Sequence, residues 1–66
     1  MMFEVSTKFI RMRDEYTRIR SMRFKDSNIE AMEFHYLLEK LMEFYNVTED
    51  SAVYFIYSDD KFIQFA

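Results

Sequence analysis

The 66-residue chain is half hydrophobic and one-fifth aromatic, with a net charge of −3 and no Cys, Gly or Pro. High hydrophobicity at low net charge excludes intrinsic disorder, and charges break every apolar run well short of a membrane span. Without Cys there is no disulfide framework and no thiolate zinc site; without Gly there is no phosphate-cradling loop.

The length corresponds to one domain, residues 1–66, near the size limit at which a hydrophobic core suffices alone. Six Met, eight Phe and five Tyr in so short a chain leave apolar surface over, so a homodimer is expected. The first residues lack a basic stretch followed by an apolar core, so no signal peptide is expected. Cysteine-free composition fits a reducing, cytoplasmic setting. The sequon Asn46-Val47-Thr48 is then a chance match.

Residues 2–24 admit two descriptions. As a helix, Met2, Val5, Phe9, Met12, Tyr16 and Ile19 follow a 3–4 spacing, with Arg11–Glu15 and Asp14–Arg18 at i,i+4. Arg13, Arg20 and Arg23, however, fall inside the apolar arc. As strands, residues 3–9 alternate, and residues 10–13 alternate one step out of phase, as across a β-bulge. Asp14-Glu15 would then turn the chain into a return strand over residues 16–24. The period-2 pattern slightly exceeds the helical one over residues 9–24, which predicts a β-hairpin.

Lys25-Asp26-Ser27 leads into the strongest element, a helix over residues 27–46. Ser27 and Glu30 form a capping box, S-x-x-E. Ala31, Phe34, Leu37, Leu38, Leu41, Met42, Phe44 and Tyr45 fall on one broad arc, which the rest of the chain must cover. Asn46, Val47 and Thr48 close the helix in place of the usual glycine.

Beyond it, residues 52–57 and 61–65 are short aromatic and β-branched runs flanking Ser58-Asp59-Asp60. They predict a second hairpin. A helix capped by Thr48 is the competitor, set aside because Asp59-Asp60 would interrupt its apolar face. The assembled expectation is an α+β domain: a two-layer β-β-α-β-β fold with one helix on a mainly antiparallel sheet. The alternative is a helical hairpin followed by a C-terminal β-hairpin.

Charge is segregated. Residues 1–26 carry seven basic and four acidic side chains, a net +3; residues 27–66 carry two basic and eight acidic, a net −6. Arg11, Arg13, Arg18, Arg20 and Arg23 are therefore candidates for contacting a nucleic acid, on a sheet face shared with the aromatics of residues 54–57. The plainer explanation is pairing of these arginines with the chain's own acids, and the acidic total favours it.

Catalytic signals are weak. His35 is the lone histidine, and with Glu39 at i,i+4 it offers two metal ligands where zinc sites use three or four. No nucleophile accompanies it, and Asp59-Asp60 suits a turn better than acid–base chemistry. A metal-dependent or hydrolytic enzyme is the least favoured class; no cofactor, small-molecule substrate or membrane partner is expected. Met32 and Tyr36 lie on the polar side of the central helix, which makes them candidates for an exposed protein-binding patch. The expected function is a small non-enzymatic binding or regulatory protein, with nucleic-acid binding as the alternative.

Overall fold

The computed structural model describes residues 1–21 and 27–65, and of residues 27–30 the backbone alone. In chain order the elements are β1 (Met2–Glu4), α1 (Thr7–Ser21), α2 (Ser27–Tyr45), α3 (Glu49–Tyr57) and β2 (Phe62–Gln64).

Helix α2 forms where the 3.6-residue pattern places it. Its side chains Leu37, Leu38 and Leu41 are buried, and Phe34, Met42 and Tyr45 pack half-buried beside them. The capping box at Ser27 and Glu30 lies outside the described side chains. At the other end, Asn46 takes the left-handed conformation with φ 52°. A glycine is the usual occupant, but Asn tolerates this region better than other residues, and the chain has no glycine to use. Phe44 departs from the expected arc: it stands at its edge and is 71% exposed.

The expected β-β-α-β-β sheet is overturned, because residues 7–21 and 49–57 are helical. In α1, Phe9, Met12, Tyr16 and Ile19 keep the helical spacing, and Phe9 and Tyr16 are buried. Of the arginines that blur this pattern, Arg13 is buried in the packed face and Arg20, though exposed, also lies over aromatic rings. The Arg13 guanidinium lies 4.6 Å from the Phe55 ring centroid. That of Arg20 lies 5.8 Å from the Tyr16 ring and 5.1 Å from the Tyr57 ring. A guanidinium stacked on an aromatic face packs much as an apolar group does.

Helix α3 starts at Thr48, whose Oγ1 accepts the Ser51 N–H at 3.3 Å. Glu49 and Asp50 place negative charge in its first turn, where the helix dipole favours it. The helix ends at Tyr57, so Asp59-Asp60 never interrupts its apolar face. Ser58 closes it, its N–H and hydroxyl both donating to the Phe55 carbonyl at 3.2 Å.

The expected second hairpin is likewise absent. Strand β2 pairs antiparallel with β1, from the opposite end of the chain, in the register Met2–Gln64, Phe3–Ile63 and Glu4–Phe62. The alternative of a helical hairpin with a C-terminal β-hairpin matches α1 and α2 but not this pairing. Both chain ends are thereby tied down: Val5 N–H donates to the Lys61 carbonyl and Phe65 N–H to that of Met1, each at 2.7 Å.

Helix α2 packs against both α1 and α3, and α3 packs against β2. Leu37, Leu41, Phe55, Ile56 and Ile63 fill the centre. At one end of the bundle, Phe9, Phe44 and Tyr45 form a ring cluster, with centroids 5.2–5.4 Å apart. The Tyr45 hydroxyl accepts the Ser6 N–H at 2.8 Å, fixing the start of α1 to the end of α2.

Candidate protein-binding surface

The core takes one face of α2; a second, exposed ridge is left beside it. Met32, Tyr36, Lys40 and Phe44 recur every fourth residue, which places them in a row along a helix surface. Met32 is 70%, Tyr36 53% and Phe44 71% exposed. The Lys40 ammonium lies 5.7 Å from the Tyr36 ring centroid, holding the charge over an aromatic face.

Helix α1 forms the other wall. Between the two helices runs a groove of about 460 Å³, bordered by Lys8, Phe9 and Met12 on α1 and by Tyr36, Lys40 and Phe44 on α2. Past Tyr36 it continues into a second groove of about 320 Å³, which meets Arg11, Met12, Glu15 and Glu33. A shallower concavity lies on the outer side, by Met32, His35 and Glu39. Tyr36 borders all three.

Both residues expected to form a contact patch, Met32 and Tyr36, therefore stand exposed at the same concavity. Lys40 and Phe44 were not anticipated as part of it. The signal was the i,i+4 recurrence itself, masked by Phe44 falling at the edge of the core arc.

The four described arginines, Arg11, Arg13, Arg18 and Arg20, do not converge. Arg13 is 6% exposed, and its Nη1 donates to the Asp60 carbonyl. Arg20 stacks on Tyr16 and Tyr57. Arg18 pairs with Glu15, one turn away; the hydrogen bond and charge hold the Glu15 carboxyl below its ordinary pKa and raise that of Arg18. Arg11 borders the second groove, and Arg23 lies outside the described residues. The open sheet face on which these arginines would have met aromatics is not formed, because residues 7–21 and 49–57 are helices.

His35 and Glu39 do make a contact, Nε2 to Oε1 at 3.1 Å, with both side chains largely exposed. Among the described residues, no group of three or more His, Asp or Glu stands close enough to hold a metal ion. No described helix is long and apolar enough to cross a membrane.

A second apolar patch lies across α3 and the two strands, where Met2, Tyr54 and Phe62 are exposed around a groove of about 300 Å³. Here the Tyr54 hydroxyl donates to Asp60 Oδ2 at 3.0 Å, and that bond to a carboxylate raises the phenol pKa.

No protein-family model, curated protein or solved structure matches the chain.

Proposed function

We propose that this chain is a small non-enzymatic binding or regulatory protein that presents the α2 ridge to another protein. The observation that carries this is the row Met32, Tyr36 and Phe44, all more than half exposed, in which Tyr36 borders both grooves along α1 as well as the outer concavity by Met32. A contiguous apolar surface of this kind on a small protein marks an interaction site. Its components suit protein recognition, since aromatic rings give area with few rotamers to order and methionine adapts to a partner's shape. A reducing, cytoplasmic setting is the compartment that suits a chain without cysteine.

Site-specific photocross-linking in cells tests it. A photoreactive phenylalanine analogue at Tyr36 should give a discrete protein adduct, and the same analogue at exposed Lys61 should not. Adding Met32→Asp and Phe44→Asp should abolish the adduct. Equal labelling from both positions, or none from Tyr36, sinks the proposal. The rival nucleic-acid reading is checked by anisotropy of labelled single-stranded DNA and RNA at two salt concentrations. Binding that weakens steeply with salt would move the working surface to α1.

A further inference from the structure

The ridge on α2 has an internal symmetry. Its four members are spaced evenly, so reversing the helix direction lays the row on itself. An antiparallel second copy, related by a two-fold axis midway between Tyr36 and Lys40, would bring Met32 over Phe44 of the other chain. It would also bring Tyr36 over Lys40 of the other chain. Each contact would occur twice, as an isologous interface requires. Each is also a favourable pair: a thioether against a ring, and an ammonium over a phenol. The second already exists within one chain, at 5.7 Å.

Charge supports the same occupant. On α2 alone, this arrangement would set Glu33 against Glu43 of the second copy, which repel. Helix α1 supplies the remedy. Lys8 shares the first groove with Glu43, and Arg11 shares the second with Glu33. The two-fold lays the first groove of one copy over the second groove of the other. Each end of the interface then holds Glu33 and Arg11 from one chain facing Glu43 and Lys8 from the other. With Glu15 from the second groove and Lys40 from the first, three acids and three bases meet there. A row of every-fourth residues packed on the same row crosses it at about 50°.

We infer that the occupant of the α2 ridge is a second copy of this chain, docked antiparallel with Met32 against Phe44 and Tyr36 against Lys40. This rests on the ridge being a protein-binding surface, as proposed above.

The absence of native cysteine makes the register directly testable. Met32→Cys and Phe44→Cys variants are made separately; both sites are more than half exposed, and circular dichroism checks that Phe44→Cys, which loses its ring contacts with Phe9 and Tyr45, keeps the fold. An equimolar mixture under mild oxidation should form a disulfide-linked heterodimer. Neither variant alone should link to itself, because like positions would lie about 18 Å apart along the helix, beyond disulfide reach. Light scattering of the unmodified chain should show its mass rising from 8.2 kDa towards twice that value with concentration. Tyr36→Ala and Lys40→Glu should each weaken the dimer roughly tenfold or more.

A constant monomer mass, with no cross-link in the mixture, overturns the second copy. Efficient self-linking of either single variant overturns the antiparallel register. Neither result touches the broader reading, which stands or falls on whether Tyr36 gives a discrete protein adduct at all, with a second copy or with a different chain.

Discussion

Arg13 donates a hydrogen bond to the backbone carbonyl of Asp60, 47 positions further along the chain. Its guanidinium also lies over the Phe55 ring, and its Nε stands 3.6 Å from Asp14. One buried cation thus joins α1, α3 and the turn into β2. The carbonyl it satisfies is one that no helix or strand bond uses, so the contact ties a loop to a helix where hydrophobic burial alone could not.

Replacing this residue should cost more than replacing any exposed arginine. Arg13→Ala is expected to destabilise the chain by about 2–4 kcal/mol, from a charge-assisted hydrogen bond and a stacked cation. In a domain of this size that lowers Tm by roughly 8–32 °C, since about 1 kcal/mol shifts it by roughly 4–8 °C. Thermal unfolding followed by circular dichroism measures it. A shift of only a degree or two would remove Arg13 from the core.

Arg20 and Arg11 separate packing from surface charge. Arg20→Ala should lower Tm measurably, because the guanidinium stacks on Tyr16 and Tyr57. Arg11→Ala should leave the melting of dilute protein almost unchanged. Equal effects in the two variants would contradict the stacking role.

The helix ends offer a third check. Asn46→Gly should stabilise the chain by up to about 1 kcal/mol, since glycine reaches the left-handed region without steric cost. Asn46→Val should destabilise it by roughly 1–2 kcal/mol. Thr48→Ala should cost about 1 kcal/mol by removing the cap of α3, with Thr48→Ser retaining most of it. Urea denaturation compares all four. A neutral Thr48→Ala would mean that the cap contributes nothing to α3.

Tyr54 gives a pH signature. Its phenol is held by the Asp60 carboxylate and titrates above its ordinary value of 10.0. The neutral form is thus favoured in the folded state more than in the unfolded one. The stabilisation is fully present below the unfolded pKa and is lost as pH rises through the folded one. In an NMR titration, Asp60→Asn should bring the Tyr54 midpoint down. Identical midpoints in the two proteins would dismiss the contact.

Local pattern suffices where one element can account for itself. Helix α2 needs only its own apolar arc, and its closing Asn46 follows from a chain that lacks glycine. Asp59-Asp60 lies in the connection from α3 to β2, not in the hairpin turn expected of it. Met32 and Tyr36 were legible as exposed because both sit opposite the leucines that fill the core. Thr48 followed by two acids is also a helix-start signal, outweighed in the sequence by the β-branched and aromatic residues after it.

The rest was decided by contacts between distant parts of the chain. Arg13 and Arg20 spoil the helical pattern of α1 until Phe55 and Tyr57 are in place to stack on them, and those rings are supplied by α3. Strands β1 and β2 are three residues each, too short to announce themselves, and they exist because folding brings the two chain ends together. The ridge on α2 was hidden for a similar reason. Phe44 has the composition of a core residue, and only the placement of α1 beside it leaves that ring in the open. Local pattern sets what a segment can become; which faces are buried depends on what arrives to cover them.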